Sequence, residues 1–284
     1  MSIQKGALYI VATPIGNLGD MSERAVAVLR AVTVIAAEDT RHSAPLLRHF
    51  GIAVPCLPFH DHNERQQTEN LIERLRHGES VALISDAGTP LLSDPGYHLV
   101  RAAHHAGLMV IPVPGASAAV AALSASGLPT DRFVFEGFLP AKPAPRRERL
   151  ARLGEEPRTL IFYEAPHRLL ETLADMAAVL GEKREAVLAR ELTKIHETVH
   201  KDTLENLVRW VRSDPHQQKG ECVILVHGAP PAADSQAVER DAQRVLEILL
   251  KELPVKQAAA LASDITGARK NRLYELAVQL KEGS

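Results

Sequence analysis

Leu8-Tyr9-Ile10-Val11-Ala12 runs straight into Thr13-Pro14-Ile15-Gly16-Asn17, and this order decides the fold: a short apolar strand, a small polar loop bearing Gly and Pro, then a helical pattern. It recurs three more times in the first half. Residues 32–37 lead into Glu38-Asp39-Thr40-Arg41, Val81–Ile84 into Ser85-Asp86-Ala87-Gly88-Thr89-Pro90, and Met109–Val113 into Pro114-Gly115-Ala116-Ser117. Strands alternating with helices predict an α/β fold with a mostly parallel sheet. In such a sheet the loops after the strands share the carboxyl rim, where α/β proteins bind their ligands. A cleft built from these four loops is therefore expected before any chemistry is assigned.

Composition narrows the classes. At 284 residues, 45% hydrophobic and 24% charged, the chain reads as a globular protein of two domains and a tail. No apolar run approaches the roughly 18 residues of a membrane helix, and the N-terminus lacks the pattern of a secretion signal, so a cytosolic location is expected. Cys56 and Cys222 form no close pair. Lys and Arg total 33 against 35 Asp and Glu, so a polyanion would have to be held by local basic patches.

The second half repeats the α/β grammar. Strand-like segments fall at 133–138, 160–163, 186–189 and 223–227, with helical patterns at 166–180 and 203–212. Domain boundaries are expected at 1–127 and 128–228, separated by Gly127-Leu128-Pro129-Thr130. Gly228-Ala229-Pro230-Pro231-Ala232-Ala233 reads as a linker to a helical tail at 235–284. There, two helices flank Thr266-Gly267 in helix-turn-helix fashion, and Arg269 and Lys270 open a compact positive patch. Segment 141–158 reads as an exposed basic arm that includes Arg146 and Arg147 and leads into a short helix.

Single motifs carry less weight. The first loop lacks the Gly-Lys-Ser/Thr ending of a P-loop, and Asp20 with Glu23 has the spacing of a capping box. In the third loop, Asp94 is expected to cap, and Pro95 to begin, a helix that stops at Gly107. Glu38 to Ser43 crowd acidic and basic side chains on the ligand rim. Cys56, His60 and His62 lack a second pair, so no metal is expected. His104 and His105 complement a helix dipole. Glu164 to Arg168 follow one strand and Arg190 to Lys194 another. Mixed charge at a strand end suggests substrate handling, although helix capping explains the former as well.

Taken together, residues 9–18, 37–41, 85–96 and 113–117, with Phe162 to Arg168, Ala189 to Lys194 and Gly220-Glu221, resemble the tetrapyrrole-methylase superfamily, and within it the branch that modifies ribosomal RNA. The match covers nearly the whole chain. The resemblance implies two α/β domains with S-adenosylmethionine in the cleft between them, and a homodimer. It also implies methyl transfer to the ribose 2′-oxygen of a cytidine in the decoding region of 16S rRNA in the small ribosomal subunit. Carried over by motif, it places cofactor contacts at Pro14, Ala87, Gly88, Thr89, Leu92, Ser117 and Ala118. Ala87 and Thr89 stand where porphyrin-type enzymes have Gly and Asp, which favours the RNA branch.

A sulfonium methyl is already activated, so such a reaction needs alignment and a base for the hydroxyl proton. Asp39, Glu164 and Glu191 are equivalent candidates for that base, and Arg41, Arg168, Arg190 and Lys194 are candidates for phosphate contacts. A methyltransferase for porphyrin-like small molecules and a non-enzymatic nucleic-acid binder are the alternatives. The basic arm and tail argue against the first, and the four-loop cleft against the second.

Overall fold

The computed structural model describes residues 3–230, 234–268 and 270–282, apart from the side chains of 234–240, 270, 279, 281 and 282. Arg269 and the Lys270 side chain of the expected basic patch thus lie outside the described residues. The chain divides into two compact units, one formed by residues up to 154 with 158–227, the other by 155–157 with the segment from 228 onward.

The first unit holds two five-stranded sheets. Strands β1 (Ala7–Val11), β2 (Val34–Ala37), β3 (Cys56–Pro58), β4 (Val81–Ile84) and β5 (Met109–Val113) are all parallel, in the order β3-β2-β4-β1-β5. Helices α1 (Glu23–Ala31) and α2 (Thr40–His49) bury Ala25, Val28, Leu29 and Leu47 on one face. On the other, α3 (Glu64–Arg76) and α4 (Tyr97–His105) bury Leu71, Leu75, Leu99 and Ala103. Burial from both sides explains why β2 and β4 are unbroken apolar runs.

The second sheet runs β6 (Phe133–Phe138), β7 (Thr159–Glu164), β10 (Cys222–Val226), β8 (Glu185–Arg190), β9 (Thr198–Thr203). Only the β6–β7 pair is parallel. Helices α6 (Pro143–Arg152), α7 (Leu169–Leu180) and α8 (Leu204–Ser213) cover one face. The other face receives α5 (Ala118–Ala125), whose Ala119, Ala122 and Leu123 pack with Ile161, Val187 and Val223. The chain thus reaches the second sheet before Gly127.

Three local expectations are corrected. Ser22 caps α1 by accepting from the Ala25 amide, while Asp20 sits in a short 3-10 turn headed by Asn17. Helix α4 begins at Tyr97 because Gly96 at φ 133° breaks the helical path, and Glu64 Oε1 accepts from the Gly96 and His98 amides at 2.9 and 3.1 Å. The basic segment is no free arm either. Helix α6 starts at Pro143, and Arg146 is buried with its Nε 2.6 Å from Asp175 Oδ2, while Arg147 reaches Asp175 Oδ1 at 2.6 Å. Arg149 and Arg152 pair with Glu136 and Glu148. Arg146 therefore braces α6 against α7 and is unavailable to a phosphate. Arg146→Ala is expected to cost about 3 kcal/mol, the low end for breaking a buried pair because Arg147 still neutralises Asp175. Denaturant unfolding checks this, and RNA affinity of the folded fraction is expected to stay unchanged.

The second unit contains α9 (Asp234–Leu249), α10 (Val255–Thr266) and α11 (Lys270–Glu282). Ala242, Leu246, Ala258, Ala259, Ala262, Leu273 and Ala277 form its core. Gly267, left-handed at φ 74°, terminates α10, as the Thr266-Gly267 turn requires.

Candidate functional site

The expected rim exists, and its loops are stitched to one another. Thr13, after β1, donates its amide to the Gly88 carbonyl at 2.8 Å and accepts the Gly88 amide at 3.0 Å, making an isolated bridge between the first and third loops. Thr89 Oγ1 donates to the Ala116 carbonyl at 3.0 Å, tying in the fourth loop. The second loop joins through the Asp39 amide, which donates to Asp86 Oδ1 at 3.1 Å. Leu91 and Ser93 hold left-handed φ values of 73° and 71° in the third loop, a strained conformation of the kind that collects at functional sites.

Between these loops and the near edge of the second sheet lies a cavity of about 370 Å³. Ile15, Ala87, Gly88, Thr89, Leu92 and Ala118 line it from the rim, and Phe138, Tyr163, Leu192, Cys222 and Val223 line it from the second sheet. Glu38, Asp86, Asp94, Glu164 and Glu221 are its acidic lining residues, Glu164 with its carboxylate buried against Arg168 and Thr172 and Glu221 with its own paired to Lys194, and among the described residues no Lys, Arg or His lines it. Burial, with Glu38 and Asp86 nearby, pushes the Asp94 carboxyl up to about 6. Burial also raises Glu38. Tyr163 accepts the Ala119 amide on its hydroxyl at 3.2 Å, which joins α5 to the second sheet beneath the cavity.

Of the residues selected from sequence, Ala87, Gly88, Thr89, Leu92, Ala118 and Glu164 line this cavity. Pro14 and Ser117 neighbour lining residues, Ser117 as the N-cap of α5. Asp39, Arg41, Arg168, Arg190, Glu191 and Lys194 do not line the cavity, and these polar candidates, like Glu164, are already engaged by protein partners. Asp39 caps α2, and its hydrogen bonds to the Arg41 side chain and amide hold its carboxyl far below the usual range; both residues sit at the surface outside the cavity. Glu164 is buried, with Oε1 accepting the Ala165 amide at 2.8 Å and Oε2 the Thr172 hydroxyl at 2.6 Å, and Arg168 pairs with it while donating to the Leu139 carbonyl. Arg190 is buried and reaches Gln217 Oε1, the Lys219 and His196 carbonyls and Thr198 Oγ1, so it braces the loop after β8.

Glu191 and Lys194 belong to a lock between the sheets. Lys194 Nζ lies 3.0 Å from both Glu191 Oε1 and Glu221 Oε2, and its stem crosses Gly16, where a Cβ would sit 2.5 Å from Lys194 Cγ. Burial would raise the Glu191 carboxyl, but the Glu221 amide and the Lys194 ammonium outweigh it and hold the group low. Glu38 and Asp86 lie in loops expected to form the cleft, whereas Asp94, Phe138 and Tyr163 were not anticipated as lining residues. Asp94 does not cap α4, whose N-cap is Gly96, and lines the cavity instead.

Residues 7–208 match the family described as tetrapyrrole (corrin/porphyrin) methylases, and residues 236–281 match the RsmI C-terminal HTH domain. Uroporphyrin-III-C-methyltransferase from Thermus thermophilus shares the fold at a TM-score of 0.55 and 22% identity, covering 78% of this chain and 94% of that one. Diphthine synthase does so at 0.59 and 17%, covering 78% and 90%. Much nearer in sequence are proteins named ribosomal RNA small subunit methyltransferase I. The one from Pseudomonas aeruginosa is 61% identical over 96% of this chain and 97% of its own length. That from Escherichia coli O157:H7 is 55% identical over 97% and 96%, and that from Synechocystis 47% over 97% and 99%. With the methylase match over residues 7–208, the tail match over 236–281 and relatives at 47–61% identity over nearly their whole length, the chain belongs to the ribosomal RNA small subunit methyltransferase I family within the tetrapyrrole methylases.

Proposed function

We propose that the chain transfers a methyl group from S-adenosylmethionine to the ribose 2′-oxygen of a cytidine in the decoding region of 16S rRNA. The observation that carries this reading is a cavity lined by the acidic residues Glu38, Asp86 and Asp94 and, among the described residues, by no basic one. Such a lining suits a cofactor bearing a sulfonium and an ammonium, and it repels an acid-rich macrocycle. Ile15, Gly88, Leu92 and Ala118 would hold the apolar parts of the cofactor, with Asp86 and Glu38 near its cationic groups. When bound, the cofactor supplies an activated methyl; the chain's task is to align the hydroxyl and accept its proton. Asp94 takes that role rather than Asp39, Glu164 or Glu191, because it lines the cavity with a carboxyl poised near neutrality.

Calorimetry with S-adenosylmethionine in excess chelator, followed by methylation of small ribosomal subunits with labelled cofactor, tests the reading. A methylated ribose leaves one dinucleotide resistant to alkali. Label recovered on a base after hydrolysis to mononucleotides would contradict it. A homodimer is proposed as the working form and is read from the mass in solution.

The helical unit from 235 onward is proposed to engage RNA. Its removal is expected to weaken subunit binding by about 1–3 kcal/mol, less at high salt, with cofactor affinity unchanged. Loss of cofactor binding and dimerisation together would make the tail structural instead.

A further inference from the structure

We infer that Phe138 is the platform on which the nucleobase of the acceptor nucleotide stacks, at the mouth of the cavity. This rests on the RNA methyltransferase reading above. Residues three apart on a regular strand face opposite sides of a sheet. Phe135 and Phe138 nevertheless both meet the Tyr163 ring edge-on, with centroids 4.9 and 5.7 Å away.

The cause is a β-bulge: the β6–β7 register shifts between Phe135, opposite Ile161, and Gly137, opposite Phe162. Gly137 takes φ 64°, and a Cβ there would lie 3.0 Å from Ser93 Oγ of the third loop, so backbone and loop meet closely at this point. The extra residue turns Phe138 to the cavity side of the sheet. Bulges beside active sites commonly re-aim a side chain in this way.

Having been aimed there, Phe138 is not buried. It lines the cavity yet remains 55% exposed, and Leu92, which also lines it, is 38% exposed. A cofactor is enclosed by its pocket, whereas a polymer must approach from the mouth. The acidic lining of the cavity is compatible with a neutral sugar hydroxyl and repels the flanking phosphates. The base attached to that sugar is then left at the opening, where an aromatic face is the recurrent partner of unpaired bases.

The test uses the full-length chain and its Phe138→Ala, Phe138→Leu and Phe138→Tyr variants. Affinity for unmethylated small ribosomal subunits, KM and kcat, cofactor affinity and oligomeric mass are measured for each. Ala and Leu are expected to raise the subunit Kd and KM roughly 5- to 100-fold, with Tyr near wild type and cofactor affinity within about twofold. Parallel loss of cofactor affinity would assign the ring to the cofactor, a changed mass would assign it to a second copy, and full activity of Leu would reduce it to apolar bulk. Each of these overturns the proposal. A wild-type chain that binds subunits but leaves them unmethylated contradicts the proposed reaction alone, since the variants still report stacking through Kd. A wild-type chain without affinity for subunits overturns both.

Discussion

Asp94→Asn is expected to slow methyl transfer by about two to four orders of magnitude while making the folded protein more stable at neutral pH. The two effects share one cause. Burial, reinforced by Glu38 and Asp86, lifts the Asp94 carboxyl to about 6 from an ordinary value of 3.8. A raised carboxyl binds its proton more tightly in the folded state, so its favourable contribution is complete below about pH 4 and disappears as pH climbs through 6. Ionised Asp94 therefore costs stability at pH 7. A rise from 3.8 to about 6 corresponds to a ceiling of about 3 kcal/mol, and partial solvent access reduces this to about 1 kcal/mol.

Asparagine keeps the shape and carries no charge. The mutant should melt higher than wild type above pH 6, and the gap should close below pH 4. Wild-type turnover should rise with pH through about 6 as the base ionises. An asparagine variant with normal turnover would remove Asp94 from proton transfer, and one with normal turnover but weak cofactor binding would make it a cofactor ligand.

The rim loops were legible because their signals are local: apolar runs, Gly and Pro punctuation and helix starts lie within about ten residues of each other. The opposite wall was not, since Phe138, Tyr163 and Cys222 meet the rim only through the stacking of two sheets. Charged strand ends misled for a related reason. Glu164 and Arg190 look functional in isolation, and their partners, the buried Thr172 and the half-buried Gln217, lie on other elements. Arg146 likewise reads as a free cation until α7 presents Asp175 to it. Strands β3 and β9 escaped because both are sheet edges, one a three-residue stretch ending in Pro58, the other half-exposed and polar. One signal was available and unused: Gly137 inside a strand pattern marks a bulge.

Gly88→Leu is expected to reduce S-adenosylmethionine affinity by about three orders of magnitude, near 4 kcal/mol. Two costs combine there. Gly88 stands at φ 83°, where any side chain costs about 1–2 kcal/mol of backbone strain. Its amide and carbonyl are both bonded to Thr13, so the loop cannot turn away without breaking the bridge between the first and third loops. A Cβ at this position already lies 3.3 Å from Ile15 Cγ2 and 3.7 Å from the Ala116 carbonyl oxygen. The rest of a leucine side chain must then enter the cavity that Gly88 lines. Gly107 separates the two costs. At φ 67° it carries the same strain, yet a Cβ there meets nothing within 4 Å. Gly107→Ala and Gly88→Ala should therefore lose comparable stability in denaturant, while only the second weakens cofactor binding in calorimetry. Equal affinities for Gly88→Leu and wild type would show that the cofactor does not lie against this loop. Equal losses at Gly88 and Gly107 would show that backbone strain, and not occupied space, governs binding.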